Sequence, residues 1–273
     1  MDLSQVKLVV SDMDGTLLND KGVVSDLFFE QFEQLKKHDV KFVAASGRQY
    51  YSMIHKLEPI KDEITIIAEN GGMTVIAEEV TDTCTIDTNT VHDLIRDMRK
   101  IEDAHIVLCG KKQAYVESKH QEFLNIFDEY YFRYNLVDDL TEIEDDDFFK
   151  IAVYSFGGSE KTTYPAVKHL EDRIKAKVSG ENWLDLSHLH TDKGRALKII
   201  QSKLNISKEE TMVFGDYNND IEMLELAHFS YAMQNAHPNI IKAANYSTKT
   251  NNENGVEYIL EKLIEAKEQL VTK

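Results

Sequence analysis

The sequence of 273 residues predicts an α/β fold: a doubly wound, Rossmann-like parallel sheet whose chain is interrupted by an inserted α/β domain. Two observations lead to this prediction. Short apolar runs alternate with amphipathic segments at the start of the chain, and this rhythm resumes from Lys193 after a middle stretch with a different apolar pattern. Strands that alternate with helices through short connections are typical of parallel sheets.

The first segment predicts three strands and a helix of that sheet. The β-branched run at 6–10 is typical of a buried parallel strand. Ser25 is a suitable N-cap for the amphipathic helix that follows it. Apolar runs at 40–45 and 64–68 predict the next two strands, so the chain begins with a strand–helix–strand unit.

The middle of the chain predicts a separate α/β unit. Its expected elements are strands at 83–87, 105–110, 113–118, 149–156 and 178–186, with helices near 89–101, 119–130 and 160–175. After it, we expect helices at 194–204 and 255–270 and strands at 211–216 and 229–233. The sequence therefore predicts a discontinuous core domain at 1–83 and 188–273 and an inserted domain at 84–187.

Composition argues against two classes of partner. The formal net charge of −17 repels nucleic acid backbones and anionic lipid surfaces. No apolar run approaches the roughly 18 residues of a membrane span, and no signal peptide is visible, so we expect a cytoplasmic protein without membrane contacts. Cys84 and Cys109 lie in apolar stretches and are expected as buried thiols, since two cysteines make no disulfide framework.

Polar side chains follow the predicted strands at the points where these strands end. Asp12 and Asp14 follow the first strand, Ser46 follows the second, and Asp216 follows a later one. Lys193 opens the helix before that later strand. Because the carboxyl ends of parallel strands share one edge of a sheet, we expect these side chains to converge there.

This set of groups suits chemistry on a phosphate ester. Carboxylates bind Mg²⁺, and the metal together with Lys193 would neutralise a phosphate in an otherwise acidic protein. One carboxylate can attack phosphorus, and a second can protonate the leaving alcohol. Each signal is weak alone, because an Asp-x-Asp pair is more often a turn and a single lysine usually faces solvent. Four such signals in order favour a catalytic site.

Four motifs resemble those of the haloacid dehalogenase-type phosphatases. They are DMDGTLL at 12–18, SGR at 46–48, KG at 193–194 and GDYNND at 215–220. The insertion between the second and third motifs resembles the type IIB cap of the Cof-like subfamily, and ENGG at 69–72 is similar to that subfamily's pattern. Within the subfamily, the chain looks most similar to bacterial sugar phosphatases.

The resemblance implies roles for the residues of the first two motifs. Asp12 would be the nucleophile and a magnesium ligand. Asp14 would be the general acid and base, and would bind the metal through its backbone carbonyl. Ser46, with the Gly47 amide, would hydrogen-bond the transferring phosphoryl group.

The last two motifs complete the implied site. Lys193 would stabilise the charge of the phosphoryl group and of Asp12, and Asn219 would contact the phosphate. Asp216 would complete the metal site, and Asp220 would orient the residues that bind the metal directly. The chain departs from the subfamily before Lys193, where residues 190–192 read His-Thr-Asp instead of ending in a small Val-Ser pair.

Substrate contacts are predicted less sharply. Trp183 and Asn182 are candidates for contact with the leaving group, although Trp183 fits the interior of the inserted domain equally well. Arg48 and Gln49 are further candidates to face the substrate. The pair at 188 and 190, two histidines in a stretch expected as a strand, is a weak candidate for a second metal site.

The expected function is magnesium-dependent hydrolysis of small phosphorylated metabolites, above all sugar phosphates, through an aspartyl-phosphate on Asp12. A phosphomutase acting on hexose phosphates is an alternative, as is a phosphatase for a cofactor phosphate such as pyridoxal phosphate or flavin mononucleotide. A ligand-binding regulator on an inactive scaffold is a third. The expected partner is the small metabolite alone, with the protein a monomer or weak homo-oligomer.

Overall fold

The structure, a computed structural model, describes residues 2–271. Its strands are β1 (Leu8–Asp12), β2 (Lys41–Ala45), β3 (Thr65–Ala68), β4 (Met73–Ile76), β5 (Glu79–Thr83), β6 (His105–Gly110), β7 (Ala114–Val116), β8 (Tyr134–Leu136), β9 (Phe148–Tyr154), β10 (Lys175–Val178), β11 (Trp183–Ser187), β12 (Thr211–Gly215), β13 (Phe229–Ala232) and β14 (Tyr246–Ser247). Its α-helices are α1 (Asp26–Lys37), α2 (Tyr50–Lys56), α3 (Thr88–Met98), α4 (Gln121–Tyr130), α5 (Thr163–Val167), α6 (Lys193–Leu204), α7 (Ile221–Leu224), α8 (Pro238–Ala243) and α9 (Gly255–Val271). Within this range no helix has both the length and the apolar composition that crossing a membrane requires.

The first sheet has the strand order β14-β13-β12-β1-β2-β3-β4-β5. Strands β14 to β3 run parallel, and β4 and β5 add an antiparallel hairpin at one edge. The chain moves one way along the sheet from β1 to β3 and the other way from β12 to β14. Right-handed crossovers therefore place helices on both faces, and the strand order reverses between β1 and β12.

The second sheet has the order β10-β11-β9-β6-β7-β8 and is antiparallel except for the pair β7–β8. Alternate residues of its strands face opposite sides. Ile106 and Leu108 of β6 pack in one buried cluster with α3, while Val107 and Cys109 pack in another with α4. Both faces are thus covered, and this unit at residues 88–187, called the cap below, has its own hydrophobic interior.

The predicted fold class, a parallel α/β sheet with an inserted α/β unit, is confirmed by these two sheets. The local signals explain several elements. Ser25 Oγ accepts a hydrogen bond from the Phe28 N–H and so caps α1. Asp192 caps α6 by accepting from the Arg195 N–H at 2.6 Å, which makes Lys193 the first helical residue.

Three predicted elements differ from the structure. The strand expected at 83–87 is wrong: the hairpin β4–β5 occupies 73–83, and its polar, partly exposed second strand lacks an apolar pattern. The helix expected at 160–175 begins only at Thr163, because Pro165 is tolerated only in a first helical turn, and after α5 it tightens into a 3₁₀ turn at Lys168–Leu170. The single strand expected at 178–186 is two strands, which turn at Gly180. Cys109 is buried as expected, whereas Cys84 is only partly buried.

Candidate active site

The predicted catalytic residues meet where the strand order of the first sheet reverses. Asp12 is the last residue of β1, and Asp216 directly follows the neighbouring β12. Ser46 directly follows β2, on the other side of β1. Parallel strands present their carboxyl ends at one edge, so residues about 200 positions apart become neighbours.

Lys193 lies in the centre of this group. Its Nζ donates to Asp12 Oδ1 at 2.5 Å and to Asp220 Oδ1 at 2.7 Å, and its side chain is fully buried. Burial opposes the positive charge, but the carboxylates of Asp12 and Asp220 outweigh it and raise the pKa of Lys193. The unusual residues 190–192 therefore do not displace this lysine from the carboxylates.

The carboxylates outnumber the cation that holds them. Burial raises the pKa of Asp12 well above its usual range; Lys193 opposes this rise, and the nearby carboxylates reinforce it. Burial, together with the charge of Asp220, also raises the pKa of Asp216 to about 7. One ammonium group facing three carboxylates leaves a local excess of negative charge, which a divalent cation would neutralise.

Three carboxylates have the geometry of a metal site. Asp12, Asp216 and Asp220 each offer an oxygen, and these oxygens lie within 4.8 Å of one another. Asp220 Oδ2 also accepts the backbone N–H groups of Asp216 at 3.0 Å and Tyr217 at 3.3 Å, which fixes its orientation. An all-oxygen, acidic donor set of this kind fits Mg²⁺.

Three of the predicted phosphate-binding residues, Ser46, Gly47 and Asn219, line a cleft together with Asp12 and Asp216. Ser46 Oγ accepts a hydrogen bond from the Arg48 N–H at 3.1 Å. Asn219 Nδ2 donates to Asn70 Oδ1 at 2.9 Å. A Cβ atom on Gly47 would lie 3.0 Å from that same Oδ1, so the loop is already packed tightly there. The loops after β2, β3 and β12 thus form one wall of the cleft.

Asp14 has a partner that sequence reasoning did not assign to it. Arg48 donates from Nε to Asp14 Oδ2 at 2.7 Å and from Nη2 to Oδ1 at 2.6 Å. Arg48 was expected to face the substrate, and it does line the cleft. Gln49 is turned elsewhere: its side-chain amide exchanges two hydrogen bonds with the Arg133 backbone, at 2.8 and 3.0 Å.

The cleft has a volume of about 260 Å³ and lies between the two units. Its floor is the acidic site, and its roof comes from the cap, with Tyr130, Tyr131, Glu181, Trp183 and Asp185. Trp183 also packs against the rings of Tyr130 and Tyr154, so it belongs both to the cleft and to the interior of the cap. Asn182 instead donates its Nδ2 to the Ser155 carbonyl at 2.7 Å.

A buried ionic cluster, missed from the sequence, joins the cap to this site. Lys150 of β9 donates to the Gly47 carbonyl at 2.5 Å, and its Nζ lies 3.2 Å from Glu69 Oε2 and 3.4 Å from Asp185 Oδ2. All three charged residues are less than 4% exposed. Asn70 also donates to Asp185. A lysine inside an otherwise apolar strand was the available signal, because lysine is almost never buried unpaired.

His188 and His190, the weak candidates for a second metal site, are not part of a metal-binding group in the structure of residues 2–271. His188 and His190 follow β11 in a turn, not in a strand, and their rings lie 5.3 Å apart. His188 Nδ1 accepts the His190 N–H at 3.2 Å and lies 3.5 Å from Cys84 Sγ. Across the part of the chain that the structure describes, Asp12, Asp216 and Asp220 are the only group of three or more His, Cys, Asp or Glu side chains that could hold a metal ion.

Comparison with known proteins agrees with this architecture. The sequence profile of the haloacid dehalogenase-like hydrolases matches residues 9–260. A chain from Streptococcus mutans UA159, SMU.1108c, has a similar solved structure, with a TM-score of 0.88 at 29% identity; the match covers 94% of this chain and 98% of that one.

Two similar proteins have names that state a substrate. The 5-amino-6-(5-phospho-D-ribitylamino)uracil phosphatase YbjI of Escherichia coli K12 is 32% identical over 262 residues, which cover 95% of this chain and 96% of the relative. The protein YcsE of Bacillus subtilis 168, named for the same activity, is 26% identical, with 92% and 93% covered. The sequence had indicated sugar phosphatases as the most similar group, and these names indicate a different phosphate ester.

Proposed function

The chain belongs to the haloacid dehalogenase-like hydrolases, and on that premise we propose that it is a magnesium-dependent phosphatase of small phosphorylated metabolites. In this proposal residues 1–83 and 188–273 form the catalytic core, and the inserted domain at 84–187, which contains the cap, is of type IIB. The observation that carries the proposal is the buried Asp12 carboxylate, held by Lys193 at 2.5 Å beside Asp216 and Asp220 at the base of the cleft.

The first half of the reaction forms a bond to Asp12. An Asp12 carboxylate oxygen attacks phosphorus, and the bond between phosphorus and the leaving oxygen breaks. Asp14, whose carboxylate is 43% exposed and lines the cleft, gives its proton to that oxygen, so a neutral alcohol departs. The Lys193 ammonium, Ser46 and the Gly47 amide stabilise the negative charge of the phosphoryl group during the transfer.

The second half of the reaction regenerates Asp12. Asp14 takes a proton from a water molecule whose oxygen attacks phosphorus, and the bond between phosphorus and Asp12 breaks to release phosphate. Asp12 and Asp216, with the Asp14 carbonyl, would hold Mg²⁺, while Asp220 orients them through the contacts described above. Bound Mg²⁺ supplies positive charge that neutralises the phosphate and balances the acidic triad.

The cleft supports a phosphate ester of a polyol as the substrate. The carboxylate of Glu181 lines its cap side and can accept hydrogen bonds from hydroxyl groups, whereas that of Asp185 is already held by Lys150 and Asn70. The same charges disfavour a second phosphate there, and Lys150 is already paired, which argues against the bisphosphate that a hexose phosphomutase needs. Sugar phosphates are members of this class.

A second candidate within the class is the ester named for the two relatives, whose alcohol is a ribityl chain attached to a uracil ring. The aromatic part of the roof supports this candidate, because Tyr130, Tyr131 and Trp183 offer apolar surface to a planar ring. The indole N–H of Trp183 is buried without an acceptor among the described residues.

The test is phosphate release from a panel of sugar phosphates, the ribitylaminouracil phosphate, nucleotides, pyridoxal phosphate and flavin mononucleotide, each with and without Mg²⁺. We expect magnesium-dependent release that is fastest with a polyol ester. Preference for a cofactor phosphate would overturn the substrate class alone. Interconversion of hexose phosphates without free phosphate would identify a mutase, and binding without turnover would identify a regulator.

The Asp14→Asn variant distinguishes the acid and base role proposed for Asp14 from the nucleophile role proposed for Asp12. The variant is expected to hydrolyse polyol phosphates slowly, by a factor of about 10² or more, because the leaving oxygen no longer receives a proton. With p-nitrophenyl phosphate, whose leaving group departs without help, phosphoenzyme is expected to accumulate. Hydrolysis of polyol phosphates at the wild-type rate would contradict the acid and base role.

A further inference from the structure

Arg48 makes contacts with both units of the protein at once. Two of its nitrogens hold both carboxylate oxygens of Asp14, at 2.6 and 2.7 Å. Its third nitrogen, Nη1, donates to the carbonyl of Glu129 in the cap at 2.7 Å, and the guanidinium lies 4.5 Å from the ring centre of Tyr130. The Arg48 side chain is only 6% exposed, whereas that of Asp14, which lines the cleft, is 43% exposed.

The neighbouring residues extend this contact between the core and the cap. Gln49 pairs its amide with the N–H and carbonyl of Arg133, as a backbone partner would. The guanidinium of Arg133 lies 4.9 Å from the ring centre of Tyr51. His55 stacks on Phe132 with ring centres 4.5 Å apart. Helix α2 and the loop before it therefore dock along residues 129–133 of the cap.

We propose that Arg48 is a positioning residue that couples docking of cap residues 129–133 to the orientation of Asp14. The inference rests on the proposed function, because it gives Asp14 the acid and base role. Asp14 lies in a turn after β1, and within residues 2–271 Arg48 is the only residue that donates a hydrogen bond to its carboxylate. The fork of a guanidinium fixes both oxygens of a carboxylate in one plane.

The docked cap in turn fixes the guanidinium. Nη1 donates to the Glu129 carbonyl at 2.7 Å and, more weakly, to Ser52 Oγ of α2 at 3.4 Å, while Tyr130 covers one face of the guanidinium. Displacement of the cap would remove the contacts with Glu129 and Tyr130 and would leave the guanidinium held by Asp14 and by the long contact with Ser52. Seating of the cap over a bound ester thus orients the group that must protonate the leaving oxygen.

Arg48→Ala tests this coupling through its dependence on the leaving group. We expect kcat for a polyol phosphate to fall by about 100-fold, with a much smaller loss for p-nitrophenyl phosphate, whose departure needs no proton. Equal losses with both esters, or a rise of KM with kcat unchanged, would overturn the proposal. The first result indicates a structural role for Arg48, and the second indicates a direct substrate contact.

A double-mutant cycle makes the test independent of the absolute rates. If Arg48 acts through Asp14, adding Arg48→Ala to Asp14→Asn leaves the residual kcat unchanged. A further loss of the size seen in the wild-type background would contradict the coupling. Gln49→Ala removes two hydrogen bonds to the cap without touching Asp14, and it is expected to lower kcat in the same leaving-group-dependent way by a smaller factor.

Arg99→Ala is the matched control. Arg99 forms a similar two-nitrogen pair with Glu117, at 2.8 and 2.5 Å, but both residues belong to the cap and neither lines the cleft. Its loss is expected to leave the ratio of the two kcat values unchanged, and a changed ratio would contradict the proposal. If Arg48→Ala does not fold, Arg48→Lys keeps the charge without the fork and is expected to show an intermediate loss.

The same experiments distinguish the two levels of inference. A wild-type protein that releases no phosphate from any ester would overturn the proposed function, and the coupling with it, before a variant is made. An active wild type whose Arg48→Ala variant loses no leaving-group-dependent activity would leave the phosphatase in place and overturn the coupling alone.

Discussion

At the scale of single residues, the site is built around a buried lysine that neutralises only part of its surroundings. Lys193 contacts Asp12 and Asp220 directly, while Asp216 lies close by. Burying charges is costly unless they are paired, so the carboxylates that Lys193 does not neutralise lower the stability of the metal-free protein. The arrangement favours binding of a divalent metal and of a phosphate whose charge that metal shares.

Asp12→Asn is expected to abolish turnover and to leave the fold intact. The amide lacks the nucleophilic oxygen, so kcat should fall by at least about 10³-fold. Stability should change little, because Lys193 keeps its contact with Asp220 and the weakened contact with residue 12 is offset by reduced repulsion among the three carboxylates. Phosphate release and urea denaturation measure the two effects. A folded, active Asp12→Asn protein would show that Asp12 is not the nucleophile.

Asp216 makes the stability of the metal-free protein depend on pH. Its pKa is about 7 in the folded state and ordinarily 3.8, so the folded protein keeps a proton that the unfolded chain releases between these values. The free energy of unfolding of the metal-free protein should therefore decrease as pH rises from about 4 to about 7. Mg²⁺ needs the ionised carboxylates, so its affinity should increase over the same range.

Urea denaturation across this pH range, with and without Mg²⁺, measures both trends. Asp216→Asn is the control, because an amide cannot titrate, and its metal-free stability should vary less with pH than that of the wild type. An unchanged pH dependence in Asp216→Asn would mean that other buried carboxyl groups, such as Glu69, dominate the effect.

At the scale of elements, a glycine lets the helix that carries Lys193 approach the first sheet. Gly71 has φ +92°, and a Cβ atom there would lie 2.3 Å from the carbonyl oxygen of Asp192, the residue that caps α6. The loop after β3 and the start of α6 are thus in backbone contact. This contact helps to set the position of Lys193 at the first turn of α6.

Gly71→Ala is expected to reduce both stability and activity. The added methyl group combines an unfavourable backbone conformation with a clash against backbone atoms, for a loss of more than about 2 kcal/mol in the free energy of unfolding. Displacement of α6 should also lower kcat. Gly158→Ala is the control: its φ is +85°, but the nearest atom would be 3.7 Å away, so about 1 kcal/mol and an unchanged kcat are expected.

Urea denaturation and phosphate release measure the two losses in each glycine variant. Equal behaviour of the two variants would mean that backbone strain alone, and not contact with α6, accounts for the effect.

At the scale of the whole molecule, the core and the cap are joined through buried charges. Lys150 of the cap contacts Glu69 and the Gly47 carbonyl of the core, and it contacts Asp185 of its own sheet. Lys177, also of the cap, pairs with Glu222 of the core at 2.8 Å, but both side chains are partly exposed. Water therefore screens the pair of Lys177 and Glu222 far more than the buried contacts of Lys150.

Lys150→Met is expected to lower the free energy of unfolding by about 3–5 kcal/mol, because it leaves two buried carboxylates without their cation. Lys177→Met is the control at the same boundary and should cost only about 0–1 kcal/mol. Urea denaturation monitored by the fluorescence of Trp183, the single tryptophan, reports on the cap in both variants. Similar losses in the two variants would contradict a special role for the buried cluster.

Much of the fold and of the candidate site follows from the sequence. The alternation of strands and helices predicted the parallel sheet, and the positions of Asp12, Ser46 and Asp216 after strands predicted that they share one edge. The edge hairpin β4–β5 was missed because its exposed, polar strand has no apolar pattern to detect. The roles of the site residues and the domain boundaries stay predictions that the variants above address.

By itself, the sequence determined the fold class and which groups collect at the carboxyl edge, because both depend on local patterns and on the common direction of parallel strands. Only the tertiary structure decided the partners of those groups. The pairing of Arg48 with Asp14, and of Lys150 with Glu69, joins elements that are distant in the chain. Such contacts depend on how the cap packs against the core, and no periodicity in the sequence encodes that geometry.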